Sequence, residues 1–212
     1  MRSIFITGTG TGIGKTVCSA VLAEALGADY WKPIQAGYED GTDAGAVHQL
    51  ISNDRTHIHP EVYKLALPAS PHISAREEGI RIDTDFIAAA HARLQRQNDV
   101  LLIEGAGGIM VPLNEQEFVI DLIRKLDASV IIVSRNYLGS INHSLLTAMA
   151  LEKYQIPVIG WLFNDHFMDY EDELVGWTGI PKIGSLPWEE HMDKAFIATQ
   201  AEQIRPALRM LI

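Results

Sequence analysis

Residues 7–16 read TGTGTGIGKT, directly after the apolar run Ile4, Phe5, Ile6 and directly before a helical pattern. Glycines let successive backbone N–H groups turn toward one anion, and a helix starting near Lys15 aims its positive dipole end at the same point. Lys15 adds a full charge, and the Thr16 hydroxyl is placed to ligate a magnesium ion. The stretch therefore predicts a phosphate cradle for a nucleoside triphosphate. Five residues separate Gly8 from Gly14, one more than the usual phosphate loop has, so the motif is a one-residue variant. Dinucleotide sites also use a glycine-rich turn between strand and helix, but they do not require the Gly14-Lys15-Thr16 ending.

Beyond the loop, Val17, Val21, Leu22 and Leu26 recur at helical spacing, and Gly27 supplies a stop. Strand-like apolar runs follow at 98–104, 128–134, 156–163 and 180–186, alternating with helical patterns at 83–97, 117–127, 139–154 and 193–211. Such alternation predicts a three-layer α/β sandwich, a mainly parallel sheet flanked by helices, of the P-loop NTPase type. In that architecture ligands sit at the carboxyl ends of the strands, so chemistry is sought there. The segment 36–82 is less regular and rich in Asp, His and Pro, long for a connection unless it builds part of a site.

With 212 residues, 47% of them hydrophobic and 21% charged, the chain suits one domain with a full core over residues 1–212. A net charge of −10 argues against a general nucleic-acid binder and for small-molecule work. The single cysteine, Cys18, excludes an internal disulfide and fits a reducing compartment. No charged-then-apolar leader and no membrane-length apolar run is present, so a soluble cytoplasmic protein is expected. The eight histidines show no metal-ligand spacing, and the four tryptophans and the methionines form no stripe suggesting a cofactor.

Several strand ends carry candidate chemistry. Val100 to Ile103 are expected to form a buried strand ending at Glu104 and breaking into Gly105-Ala106-Gly107-Gly108. A buried carboxylate there calls for a positive partner, and magnesium is the obvious one beside a phosphate loop. The plainer reading is a glutamate capping the following turn. Lys32, held extended by Pro33, projects from the sheet edge as a second phosphate-neutralising charge. Spacing alone also allows a solvated lysine. Asp43 follows a glycine turn and opens a helical pattern, so it reads as an N-cap or as a metal ligand. The junction Leu138-Gly139-Ser140-Ile141-Asn142-His143 offers helix-start N–H groups to a carboxylate or phosphate. Asn164-Asp165 and Pro187-Trp188 also fall at carboxyl ends, suited to a nucleobase.

Taken in order and at these intervals, TGTGTGIGKT, WKPIQAG (31–37), SPHISARE (70–77), EGAGG (104–108), LGSINH (138–143), WLFND (161–165) and LPW (186–188) resemble the dethiobiotin synthetase family. The likeness spans nearly the whole chain; single motifs are shared with related phosphate-loop ATPases, and the series is not. The resemblance implies ATP-dependent closure of a cyclic urea: 7,8-diaminopelargonic acid takes up CO2 as a carbamate, ATP phosphorylates it, and the neighbouring amine displaces phosphate. It implies catalytic roles for Lys15 and Lys32, magnesium ligation by Thr16, Asp43 and Glu104, and ATP contacts from Gly12, Ile13, Gly14, Lys15, Thr16, Val17, Glu104, Asn164 and Pro187. Substrate contacts implied are Lys32, Gly107, Gly139, Ser140, Ile141 and Asn142, the last four from the second subunit of a homodimer.

Two departures stand out. Ala36 occupies the place where the family tends to carry a small hydroxyl residue, leaving a water, a backbone group or Gln35 to take its part. Gly10 stands where aspartate is common. The segment between Asp165 and Ile180 aligns poorly, so no aromatic substrate contact is carried over, although Tyr170 is nearby. The competing reading is a nucleotide-switched ATPase of the partitioning type. Those proteins usually place an extra lysine early in the loop, and no lysine occurs between Met1 and Lys15. An amidotransferase synthetase would need a glutaminase cysteine, for which Cys18 is badly placed.

Overall fold

The computed structural model describes residues 2–165 and 168–212. In chain order the elements are β1 (Arg2–Gly8), α1 (Lys15–Leu26), β2 (Asp29–Trp31), β3 (Ile34–Ala36), α2 (Asp43–Leu50), β4 (Ile58–His59), β5 (Tyr63–Leu65), α3 (Pro71–Glu77) and α4 (Thr84–Arg93). They continue with β6 (Val100–Gly108), α5 (Val119–Lys125), β7 (Ser129–Arg135), α6 (Ser140–Lys153), β8 (Val158–Asn164), α7 (Glu171–Thr178), β9 (Lys182–Leu186) and α8 (Lys194–Leu211). Seven strands form one sheet in the order β4-β2-β6-β1-β7-β8-β9, and every pairing in it is parallel. A small parallel pair, β3 with β5, stands beside it.

Strand alternation sorts the core into two layers. Phe5, Leu101, Ile103, Val130, Ile132, Trp161 and Phe163 pack with α4, α5, α6 and α7 on one face. Ile4, Ile6, Tyr30, Leu102, Ile131, Val133 and Leu162 pack with α1, α2 and α8 on the other. The predicted three-layer sandwich is therefore the observed one, with the phosphate-loop strand β1 central between β6 and β7.

Where local expectation fails, a distant partner overrides it. The helix expected over 83–97 stops at Arg93. Beyond it, the buried Asp29 carboxylate accepts the Gln97 backbone N–H at 2.8 Å and the Asn98 amide at 2.8 Å, which draws the chain out of the helical path. The glycine run after Glu104 is not a turn, since β6 continues to Gly108 and pairs it with Gly8. Those glycines serve close approach: a Cβ on Gly105 would lie 2.5 Å from Phe5 Cε1, and one on Gly108 would lie 3.1 Å from the Gly8 carbonyl. The irregular segment 36–82 holds α2, β4, β5 and α3, and the poorly aligned stretch before Ile180 contains α7.

Candidate ATP and substrate site

Between β1 and α1 the loop turns on Gly12 (φ 71°) and Gly14 (φ 89°), left-handed positions that favour glycine. A Cβ on Gly14 would overlap the Asn164 side-chain amide, which sits against the loop and donates to the Ile13 carbonyl at 2.9 Å. Asn164 ends β8 in register with Leu186 of β9, so it lies beside the start of the Pro187 loop.

A cavity of about 690 Å³ is lined by Gly12, Gly14, Lys15, Thr16, Lys32, Asp43, Glu104 and Gly107, with Gln35 and Ala36 on its wall. Five side chains singled out in the sequence thus meet in one place. Lys32 leaves β2 and reaches Glu104 Oε1 at 2.9 Å and Asp43 Oδ2 at 2.6 Å. Thr16 Oγ1 lies 2.7 Å from Asp43 Oδ1 and 3.1 Å from Glu104 Oε1. Lys15 Nζ donates to the Gly10 carbonyl at 2.9 Å. Lys32 and Glu104 are 5% and 1% exposed, so these are desolvated charges that persist because they face one another.

The electrostatics follow from burial and pairing. Burial works against a charged Lys32, but Glu104 and Asp43 overcome it and hold its pKa above the ordinary lysine value. Lys15 has no such pairing: burial, opposed by Glu104 and reinforced by the Lys32 charge, brings its pKa down to about 8. Burial would raise the Asp43 pKa, yet the Lys32 charge and the bonds from Lys32 and Thr16 leave it below the usual range. Burial raises the Cys18 pKa, which leaves a packed, protonated thiol.

Asp43 is the first residue of α2 and not its cap; Thr42 takes that place, its side chain accepting from the Gly45 N–H at 3.0 Å. This frees the Asp43 carboxylate for Thr16 and Lys32. Tyr30 and Tyr170, given no site role by the sequence, and Gln35, offered there only as a stand-in for a hydroxyl, each bond a candidate site residue. Tyr30 donates to Glu104 Oε2 at 2.9 Å, and strand alternation in β2 places it on the same face as Lys32. Gln35 Oε1 accepts the Asp43 backbone N–H at 3.1 Å while its amide donates to Gly37, so the side chain offered as a stand-in for the missing hydroxyl at Ala36 is already engaged. Tyr170, just before α7, has its hydroxyl on Ser140 Oγ and also donates to the Tyr137 carbonyl at 3.2 Å. Tyr30 was readable from period-two alternation; the other two depend on loop geometry.

The α6 start, Gly139 to Asn142, is apart from the cavity that holds Lys32. The preceding residues, Arg135 to Leu138, border a separate cavity of about 470 Å³ on the other side of Thr11, Gly12 and Ile13. Ile13 and Val17 belong to the loop and to the first helical turn without lining the Lys32 cavity.

A hydroxyl with two carboxylates each within 3.1 Å of it forms an all-oxygen, hard donor set that fits a magnesium ion. A family model described as an AAA domain matches residues 2–195. The ATP-dependent dethiobiotin synthetase of Cytophaga hutchinsonii is 43% identical over 205 residues, covering 96% of this chain and 97% of the relative. That of Brucella anthropi is 45% identical over 187 residues, covering 88% and 86%. This chain belongs to the dethiobiotin synthetase family. It is accordingly an ATP-dependent ligase. The septum site-determining protein MinD of Pyrococcus horikoshii, solved with Mg-ADP, superposes with a TM-score of 0.65 over 100% of this chain and 98% of that one. At 15% identity, that likeness shows the fold alone.

Proposed function

We propose that residues 1–212 form one synthetase domain that, with Mg2+, converts 7,8-diaminopelargonic acid, CO2 and ATP into dethiobiotin, ADP and phosphate. The observation that carries this reading is the meeting of Lys15, Thr16, Lys32, Asp43 and Glu104 on one cavity. One amine adds to CO2 and loses a proton to give a carbamate. A carbamate oxygen takes the γ-phosphoryl group as ADP leaves, forming a carbamic-phosphoric anhydride. The second amine then attacks the carbonyl carbon, and phosphate departs as the ring closes. No protein nucleophile is needed, only positioning and charge neutralisation.

Lys15 and Lys32 would stabilise the charge on the transferring group, and the glycine-turned N–H groups would hold the flanking phosphates. Magnesium on Thr16, Asp43 and Glu104 would offset the charge of the β- and γ-phosphates. Asn164 and the Pro187 loop would face the adenine, and Gly107 the substrate. The carboxylate of the diamine would be received by Gly139, Ser140, Ile141 and Asn142 of a second subunit, where the Tyr170 hydroxyl stands on Ser140. A homodimer is further supported by the apolar residues near that helix start: Leu138 is 95% exposed, with Leu146, Met149 and Met110 also exposed.

Among the described residues no helix is long and apolar enough to cross a membrane, and the acidic chain with its free buried cysteine suits a small-molecule enzyme of the cytoplasm. The test is phosphate release from Mg·ATP in bicarbonate buffer, with and without the diamine, with mass detection of product. Diamine-dependent release with dethiobiotin formed is the expected result. Release indifferent to the diamine would overturn the reading in favour of a nucleotide switch.

A further inference from the structure

We propose that Lys32 and the divalent cation hold the same carboxylates in turn, so that arrival of the cation is what delivers the Lys32 ammonium to the reacting groups. This rests on the metal reading of Thr16, Asp43 and Glu104 and adds to it an exchange in which a catalytic lysine is itself the competitor of the metal.

The geometry points there directly. Glu104 Oε1 is shared between Lys32 Nζ at 2.9 Å and Thr16 Oγ1 at 3.1 Å, while the other oxygen, Oε2, is held by Tyr30. Asp43 is divided in the same way, Oδ1 to Thr16 and Oδ2 to Lys32. Lys32 therefore points at the lone pairs a metal would draw on between the same two carboxylates. A magnesium ion needs oxygen ligands at about 2.1 Å, and an ammonium pressed against those oxygens repels it and blocks its approach. Within the group, Lys15 and Lys32 balance Asp43 and Glu104 in formal charge. A divalent cation added alone makes the pocket strongly positive. The phosphates of a nucleotide remove that excess and give Lys32 a new set of oxygens, on the cavity that its side chain already lines. Lys32 thus moves from carboxylate to phosphate as the metal takes its place, and the metal and the nucleotide reinforce each other's binding.

The first experiment titrates Mn2+ into nucleotide-free protein and follows free Mn2+ by electron paramagnetic resonance. Lys32→Met should bind one Mn2+ more tightly than the wild type by about tenfold or more, because its two carboxylates lose their competitor. Lys32→Arg keeps the charge and should stay as weak as the wild type. The second experiment needs no variant that buries unpaired charges: acetic anhydride labelling of Lys32 in the wild-type chain, read by mass spectrometry. Saturating Mn2+ should raise that labelling by about fivefold or more, as a nine-tenths buried, paired amine becomes free. Equal Mn2+ affinity of the wild type and Lys32→Met, or labelling indifferent to Mn2+, would overturn the exchange. The metal reading has its own control. If Asp43→Asn and Glu104→Gln leave Mn2+ affinity unchanged in the presence of a non-hydrolysable ATP analogue, the metal lies elsewhere, and the exchange falls with it.

Discussion

The Asn164 side chain spans the sheet edge to donate its amide to the Ile13 carbonyl at 2.9 Å, and it occupies the space a side chain on Gly14 would need. A residue implied as an adenine contact therefore also fixes the phosphate loop. Gly14→Ala forces a left-handed alanine and displaces Asn164, which should cost about 1–2 kcal/mol in stability and weaken ATP binding at least about tenfold. Gly10→Ala meets nothing within 4 Å and should bind ATP nearly as the wild type does. Calorimetric ATP titration of both variants, with thermal melts, separates the two; equal affinities would refute the packing argument.

Lys15→Ala removes the charge proposed to face the transferring phosphoryl group. Turnover should fall by about 100-fold or more while circular dichroism stays native, since the substitution also relieves a buried, partly destabilised ammonium. Near-normal turnover would contradict the loop assignment.

Gln35→Leu removes the acceptor that fixes the α2 start, and with it the aim of Asp43. The Mg2+ concentration giving half-maximal rate should rise by about three- to tenfold with a smaller change in kcat, as expected for loss of a residue that orients a metal ligand. A Mg2+ titration superposing on the wild type would leave Gln35 a packing residue only.

His91 lies against Ser3 and Arg96 near the amino ends of the strands. Burial, with the Arg96 charge adding to it, brings its pKa from 6.5 to about 4. Between those limits the unfolded chain holds the extra proton, so the contribution of neutral His91 is complete above about pH 6.5 and is lost as pH falls toward 4. Because the ring is only half buried, the loss should be about 1–2 kcal/mol. Urea midpoints at pH 7 and pH 4.5 should diverge in the wild type and less in His91→Gln. Parallel slopes would sink the assignment.

Leu146→Asp places a carboxylate on the exposed apolar face of α6. Sedimentation should show a monomer that keeps its ATP affinity and loses most diamine-dependent turnover, by about tenfold or more, because the carboxylate receptor proposed for the second copy departs. A dimer of unchanged strength would place the subunit contact elsewhere.

Much of the site was legible because its signals are local or lie at strand ends. The glycine spacing before Lys15, the proline after Lys32 and the acid closing an apolar run each point to the carboxyl edge of the sheet. The strand and helix errors share one cause, a short-range signal overruled by a partner far along the chain. Gly105 and Gly108 read as breakers, yet they stay in β6 because Phe5 and Gly8 press against them. The helix pattern through 94–97 is sound in itself and yields to Asp29. Asp43 looked like a cap because Asp and Thr42 both suit that role, and only the folded chain assigns it to the threonine. Tyr170 meets Ser140 across 30 residues, a pairing no local pattern announces.

Strand β2 pairs Trp31 with Ile103 of β6, which sets Lys32 beside Glu104 by register alone. A slip of one residue would carry the lysine about 3.3 Å along the strand and turn it to the opposite face of the sheet. Partly assembled chains thus have no half-active site to offer: in a refolding experiment, recovery of turnover reports the moment these two strands lock, and a mispaired, compact intermediate would be catalytically silent however native its helix content.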